Sequence, residues 1–200
     1  MASSADLGTD GRIQRSERSR EAIVQAMLDL IGAGALSPTA QQVADRADVG
    51  VRTVFRHFSD MDTLFATMNE RLTKEVESLF VDGVQLGPFH ERLEALIDRR
   101  LELFEKLAPF LRSSALQHAR SVFLQAQHDR NIRVLRRDLR RWLPEVEPAP
   151  PEVGDGLEMA LSFEAFNRLR IDQRLGARRA RNAIRRTVVA LAARLDTSNA

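Results

Sequence analysis

Apolar residues recur every three or four positions along most of the chain, which is the spacing of one face of an α-helix. No long segment alternates apolar and polar residues as a half-buried strand does. The pattern therefore predicts an all-α protein of about nine helices. Besides a short pair within 39–58, we expect helices at about 16–31, 59–80, 89–107, 109–119, 122–143, 157–175 and 177–195.

The short pair within 39–58 has clear boundary signals. Thr39 can cap the first helix, and Gln42 is placed three residues later to complete a capping box. Ala44 is small where a second helix must cross closely. Asp48 lies at the sharp turn, where Asp tolerates a left-handed backbone better than most residues. Further apolar residues at the spacing that packs the two helices together are Val43, Ala47, Val49 and Val54.

The second helix of the pair presents a polar face to the outside. Once Val49 and Val54 pack inward, the residues left facing outward are Gly50, Val51, Arg52, Thr53, Phe55 and Arg56. This is a helix-turn-helix arrangement, in which the N-terminal half of the second helix enters the DNA major groove.

The same segment resembles the TetR family of transcriptional regulators. The residues that match the family pattern at fixed offsets are Thr39, Val43, Ala44, Ala47, Val49, Thr53, Val54, Phe55, His57, Phe58, Ser59 and Leu64. Asp48 stands where the family usually has glycine, and Gly50 where it has serine. Phe55 replaces a common tyrosine and Met61 a common lysine, which puts some phosphate contacts in doubt but not the fold.

The outward side chains predict how DNA is read. Arg52 is the candidate for direct base readout, because its guanidinium matches the acceptors of guanine. Gln41 is a second candidate, and Val51 can contact a thymine methyl group. The resemblance implies phosphate contacts for Thr39, Thr53 and His57. Arg56 fits either role, and Phe55 packs against sugar or serves only as support.

The resemblance also implies a division of the chain. We expect a disordered basic arm at 1–15, a helix-turn-helix DNA-binding domain at 16–58, a connecting helix at 59–80 and a larger effector-binding and dimerisation domain at 81–200. Around the end of the arm, Arg12, Arg15, Arg18 and Arg20 are opposed only by Glu17, so this region can contact phosphates. The proline-rich segment 144–156 is expected to be a loop.

The helix predicted at 157–175 is apolar on more than one side, as expected of a helix that is central or shared with a partner. In the family, the last two helices form a four-helix dimer interface. The resemblance therefore implies a homodimer on a palindromic double-stranded DNA operator. The expected interface residues are Leu161, Ala165, Leu169, Ile184, Val188 and Leu191.

A small-molecule pocket is implied by the resemblance as well, since family members are usually repressors that an effector releases from the operator. The candidate lining is mostly aromatic and apolar, which suits a hydrophobic effector of modest polarity. It comprises Phe89, Leu93, Phe104, His118, Phe123, Phe163, Phe166 and Asn167. The alternative is that these side chains are ordinary core residues.

Composition excludes several other classes. The 200 residues include no cysteine, and the four histidines lack metal-ligand spacing, so we expect no enzyme, metal or cofactor. The apolar runs are too short to span a membrane, and the N-terminus lacks a signal-peptide core, so a cytoplasmic protein is expected. A net charge of +2 does not by itself indicate nucleic-acid binding. A nonspecific, nucleoid-type DNA binder and a helical protein-binding adaptor remain as alternatives.

Overall fold

The computed structural model describes residues 4–76 and 86–196, without the side chains of residues 4–12, 120 and 196. This part of the chain forms nine α-helices and no strand, so the predicted all-α class is confirmed. The helices are α1 (Ser4–Gly32), α2 (Ala40–Arg46), α3 (Val51–His57), α4 (Met61–Val76), α5 (Phe89–Gln117), α6 (Val122–Trp142), α7 (Pro151–Ala160), α8 (Phe163–Asn167) and α9 (Ala177–Asp196). A π-helical turn, Arg168–Asp172, follows α8.

The chain divides into two units that differ from the predicted domains. The first unit comprises residues 1–75 and 109–126, and the second comprises residues 76–108 and 127–200. Residues 109–126 were expected to belong to the effector domain, but they are grouped with the helix-turn-helix. Hydrogen bonds described below explain this grouping, because they tie residues 113–121 to the two ends of the helix pair. The predicted end of the connecting helix, 77–80, lies outside the described residues.

The core of the first unit is built from α1, α2, α3 and α4. The apolar stripe of α1 includes Ile23, Met27 and Ile31, all without exposed area. Ala22 and Leu30 of the same helix are only half-buried. The other buried residues of this core include Val43, Ala44, Val54, Phe58, Leu64, Phe65, Met68 and Leu72.

The N-terminal arm differs from its prediction. Residues 1–15 were predicted to be disordered, whereas α1 extends back to Ser4. Adding a residue to an existing helix gains one hydrogen bond without a new nucleation step, and residues 4–15 contain no proline. The anchored part of α1 can therefore propagate helix toward the N-terminus.

Pro109 was predicted to separate two helices, but α5 passes through it without a break. A proline in a helix interior removes one backbone hydrogen bond, and it usually kinks or ends the helix. Here the flanking turns are fixed by packing, since Phe104 and Ala108 are buried before it and Ser113 is buried after it. Tertiary packing thus outweighs the local preference.

The segment predicted as a proline-rich loop is also partly helical. The helix α7 begins at Pro151, which occupies a first-turn position where a missing N–H costs nothing. The helix predicted at 157–175 is interrupted at Ser162, whose hydroxyl accepts a 3.1 Å hydrogen bond from the Ala165 N–H and caps α8. The periodicity alone did not reveal this interruption, because apolar residues continue at helical spacing across it.

Two buried arginines organise the second unit. Arg92 donates to the carbonyl oxygens of Gly87 and Trp142 and pairs with Glu145, whose pKa is lowered mainly by this hydrogen bond. Arg100 donates to the carbonyl oxygen of Leu161 at 3.3 Å and to that of Leu135 at 2.5 Å. It also pairs with the Asp138 carboxylate at 3.3 Å. Arg100 therefore links α5 to α6 and to the end of α7.

We expect Arg100→Ala to lower the free energy of unfolding by about 3–5 kcal/mol, because Asp138 is left as an unpaired buried charge. The matched control is Arg141→Ala on the exposed side of α6, which should change stability by less than about 0.5 kcal/mol. Urea denaturation followed by circular dichroism measures both. Equal effects of the two substitutions would contradict the role given to Arg100.

Candidate nucleic-acid interface

The helix pair begins as the sequence predicted. The Thr39 hydroxyl oxygen accepts a 3.2 Å hydrogen bond from the Gln42 N–H, and the Gln42 side-chain oxygen accepts a 2.9 Å hydrogen bond from the Thr39 N–H. This reciprocal capping box satisfies two backbone donors that would otherwise lack partners. It fixes the start of α2 at Ala40.

The turn between α2 and α3 depends on a left-handed residue. Asp48 has φ of 54°, as predicted from its position at the sharp turn. The next residue returns a hydrogen bond from its N–H to the Ala44 carbonyl oxygen at 3.0 Å. Ala44 has no exposed area and Val54 is almost fully buried, so α3 packs closely on α2. Gly50 occupies the cap position of α3 and makes no side-chain hydrogen bond there.

The outward face of α3 carries the predicted DNA-reading side chains. Arg52, Phe55 and Arg56 are exposed, with Phe55 leaving 48% of its area accessible. Val51 and Thr53 are half-buried beside them. Neither Arg52 nor Arg56 forms an ion pair within the described part of the chain. Their guanidinium groups are therefore available to an external acceptor.

Two of the residues predicted to contact DNA are not free to do so in this structure, because Gln41 is hydrogen-bonded within the chain and His57 Nε2 is buried. The exposed Gln41 donates to the Asp45 carboxylate at 2.7 Å, so its amide must leave this partner before it can read a base. The Nε2 atom of His57 is buried, with no hydrogen-bond partner among the described residues. Through this nitrogen, His57 cannot reach a phosphate without moving. The exposed Thr39 hydroxyl remains open to solvent while it caps α2.

An ion pair and a cation–π contact hold α1 against the helix pair. Arg46, in the last turn of α2, pairs with Asp29 of α1 at 3.0 Å. The pKa of Asp29 is lowered by hydrogen bonds from Gln25 and then Arg46. Arg20 lies 5.1 Å from the centre of the Phe58 ring. These contacts fix the direction in which α3 projects its exposed face.

Asp60 caps the start of α4. Its carboxylate accepts a hydrogen bond from the Thr63 N–H at 2.7 Å. The pKa of Asp60 is lowered mainly by this backbone hydrogen bond. Asp60 directly precedes Met61, the first residue of α4. Its carboxylate can therefore reach the backbone N–H groups of the first turn, which have no partner within the helix. Asp62 accepts a different donor, as described next.

Sequence analysis did not identify three polar residues near the end of α5. The Ser113 hydroxyl and the Gln117 amide both donate to the Leu36 carbonyl oxygen, at 2.8 Å and 3.1 Å. The Ser121 hydroxyl donates to the Asp62 carboxylate at 2.7 Å. Leu36 precedes α2 and Asp62 follows α3, so residues 113–121 fasten both ends of the helix pair. No local sequence signal marks such long-range hydrogen bonds.

The fold is similar to that of two solved structures. A transcriptional regulator from Rhodococcus sp. Rha1 matches with a TM-score of 0.66 and 19% sequence identity, over 88% of this chain and 95% of that one. A TetR transcriptional regulator from Rhodococcus sp. RHA1 matches with a TM-score of 0.49 and 18% identity, over 90% of this chain and 97% of that one. No family model matches the sequence, and no curated protein does. The chain has the all-α fold of the first of these regulators.

The predicted pocket residues do not line one described cavity. The rings of Phe104, Phe163 and Phe166 pack on one another with centres 5.8–6.3 Å apart, and Phe104 and Phe166 are fully buried core residues. His118 and Phe123 belong to the first unit, whereas the other six candidates belong to the second. An open groove of about 590 Å³ lies instead between α7 and α9, and Leu191 is among its lining residues.

Three of the predicted dimer residues are also misplaced. Leu161, Ile184 and Val188 are buried within their own protomer, so their side chains are not available to a second chain. The periodicity identified an apolar stripe on α9 but could not show what covers it. Ala165, Leu169 and Leu191 remain partly exposed, and Val189 leaves 41% of its area accessible on the outer side of α9.

The described residues contain no cluster of three His, Cys, Asp or Glu side chains that could hold a metal ion. Among the same residues, no helix is both long and apolar enough to cross a bilayer.

Replacing Asp48 tests the left-handed turn. We expect Asp48→Ala to lower the free energy of unfolding by about 1 kcal/mol, because alanine keeps the strained Cβ but lacks the short polar side chain that lets Asp tolerate this φ. Asp48→Gly is the matched variant and should cause no loss, since glycine adopts this conformation freely. Urea denaturation compares the two, and a loss in the glycine variant equal to that in the alanine variant would show that the carboxylate, not the backbone, matters.

The pH dependence of stability tests the environment of His57. Burial, with positive charge from Arg56 and Arg20, lowers the pKa of His57 below its ordinary 6.5. As pH falls through about 6.5, the unfolded chain takes up this proton first, so the free energy of unfolding decreases. We expect His57→Gln to flatten this decrease between about pH 7.5 and about pH 5.5 in urea titrations. Asp29 and Asp60, whose pKa values are lowered from 3.8, titrate below this range.

Proposed function

We propose that the chain is a non-enzymatic, sequence-specific transcriptional regulator that binds double-stranded DNA as a homodimer in the cytoplasm. The observation that carries this proposal is the helix pair, in which a tightly packed α2–α3 turn leaves Arg52 and Arg56 exposed and without described ion-pair partners. The likeness in fold to a known transcriptional regulator supports it. The resemblance of residues 39–64 to the TetR family is a second, independent support.

Arg52 is the proposed base-reading residue. It lies in the first turn of α3, the part of a recognition helix that enters the major groove deepest. Its guanidinium can donate two hydrogen bonds to the O6 and N7 atoms of a guanine. Val51 and Thr53 flank it. Val51 is suited to contact a thymine methyl group, and Thr53 is suited to contact a phosphate. Gln41 would join the interface only after it leaves Asp45.

The proposed dimer interface uses the outer side of α9 together with α7. The groove between these helices is open, and Val189 of α9 is exposed. A second copy would cover this surface and place two helix pairs on one duplex. Two half-sites related by two-fold symmetry multiply the discrimination that a single seven-residue recognition helix provides.

The proposed mode of action is repression relieved by a small hydrophobic effector. The aromatic cluster of Phe104, Phe163 and Phe166 is the apolar centre that such a ligand would enter. Because these rings already pack together, the ligand must separate them or enter beside the half-buried Phe89 and Asn167. An effector acts only if it binds one arrangement of the dimer better than the other.

A nonspecific DNA binder is the less favoured alternative. Nonspecific affinity comes almost entirely from basic side chains that neutralise phosphates. The first unit contains eleven basic and eleven acidic residues, so its formal net charge is zero. A neutral reading unit suits base-specific contacts better than indiscriminate binding.

Selection of bound sequences from a random DNA pool at near-physiological salt tests the proposal. An enriched motif with two-fold symmetry would support a sequence-specific dimer. Bound DNA without a motif would instead support the nonspecific binder. If no DNA is bound at all, the helical adaptor becomes the better explanation.

Arg52→Ala is the specific variant for this experiment. We expect it to lose about 1–3 kcal/mol of discrimination at one guanine position of the motif, while the dimer stays intact. Lys106→Ala, at an exposed position of α5, is the control and should keep the wild-type preference. Fluorescence anisotropy on the motif and on a single-base variant measures the change. Wild-type discrimination by the Arg52→Ala protein would disprove the assigned role.

A further inference from the structure

The helix α6 carries a concentration of exposed positive charge outside the helix pair. This helix carries six arginines and two aspartates, which gives it a formal net charge of +4, whereas the whole chain has +2. The remainder of the chain is therefore net negative. One of the two aspartates, Asp138, leaves only 10% of its side chain accessible and pairs with Arg100, so it offsets little of the charge at the surface.

The arginines of α6 fall into two groups that differ in their partners. Arg136 pairs with Glu158 at 2.7 Å, and Arg140 pairs with Glu147 at 3.1 Å. The other four are exposed and form no ion pair with any residue that the structure describes. We call them the arginine row; its members are Arg130, Arg133, Arg137 and Arg141.

The arginine row is a continuous surface. At 3.6 residues per turn, its four positions fall within an arc of roughly 80° on the helix, and they extend over about 16 Å along the axis. Three of them, Arg133, Arg137 and Arg141, follow one another at steps of four residues, or about 6 Å. Asp129 is the single exposed acid on this helix and lies at one end of the row.

The helix beneath the row is firmly held. Leu139, Trp142 and Leu143 are essentially fully buried, and Arg100 donates to the Leu135 carbonyl oxygen at 2.5 Å. The backbone that carries the row is therefore fixed before any partner binds, so little ordering entropy is lost on binding.

We propose that the arginine row binds the phosphate backbone of double-stranded DNA, independently of base sequence and separately from the helix pair. Duplex DNA carries one negative charge per about 1.7 Å of axis, so about nine charges lie along the length of the row. Guanidinium groups form paired hydrogen bonds with phosphate oxygens. The row thus presents a line of guanidinium donors to a line of phosphate acceptors, and the phosphates carry more charge per unit length.

The surroundings of the row favour DNA over a protein or a membrane. Protein interfaces and membrane-surface helices are anchored by large apolar or aromatic side chains. Of the exposed apolar side chains between Arg130 and Arg141, Val134 lies about 20° outside the arc of the row and Ile132 about 100° outside it, and Trp142 of the same helix is buried. Phosphate binding requires no such anchor, because counterion release supplies the affinity.

The test compares two triple variants of the full chain on a short duplex that lacks the selected motif. One variant combines Arg133→Gln, Arg137→Gln and Arg141→Gln. The control combines Lys74→Gln, Lys106→Gln and Arg174→Gln, which removes the same charge from exposed basic residues outside α6, α7 and α9. Circular dichroism verifies that both variants are folded. Binding is followed by fluorescence anisotropy across a series of salt concentrations.

We expect the row variant to reduce the slope of log affinity against log salt by up to about 2.7, because each lost phosphate contact removes about 0.9. Between about 50 and about 200 mM salt, wild-type affinity should then fall up to about 40-fold more than that of the row variant. The control should keep the wild-type slope. An unchanged slope in the row variant, or an equal change in the control, overturns the proposal.

Two further outcomes separate this inference from the proposed function, on which it rests only for the choice of DNA as partner. If selection yields no motif but the slope still depends on the row, specific regulation fails and the inference stands. If a motif is selected while the row variant behaves as wild type, specific regulation stands and the inference fails. Wild-type binding to vesicles of an anionic phospholipid, with no binding to the motif-free duplex, would overturn the inference in favour of a membrane surface.

Discussion

The packing of α3 on α2 is the constraint on which the proposed DNA-reading surface depends. The helix α3 has seven residues and no side-chain cap, so it is too short to be stable in isolation. Its helical state and its orientation depend on the burial of Val54 and Phe58 and of the small Ala44 in α2. The base-reading role proposed for Arg52 requires this packing, because it fixes the backbone from which Arg52 projects.

That packing is reinforced by residues far away in the sequence. Ser113 and Gln117 hold the carbonyl oxygen of Leu36 before the pair, and Ser121 holds Asp62 after it. The helix α5 contributes residues 89–108 to the second unit and residues 109–117 to the first. The backbone of α5 therefore connects Arg100 with Ser113 and Gln117, which bind Leu36. The helix lacks one backbone hydrogen bond at Pro109.

Local sequence signals predicted the helix pair well, because its geometry is set by neighbouring residues. The Thr39 capping box and the left-handed Asp48 are both of this kind. The same reasoning placed a break at Pro109 that tertiary packing removes, and it missed the hydrogen bond of Ser121. It also assigned Ile184 to a dimer interface, since periodicity shows that a face is buried but not whether the covering residues belong to the same chain.

The distribution of charge has a consequence for specificity. A regulator must find its site among a great excess of other DNA, so the ratio of specific to nonspecific affinity matters more than either value. Basic side chains raise both affinities together, whereas a base contact raises only the specific one. Under the proposed function, the zero net charge of the first unit would keep nonspecific binding low where the bases are read. If the arginine row supplies phosphate contacts from α6, affinity and discrimination can change independently, because they depend on residues in different units.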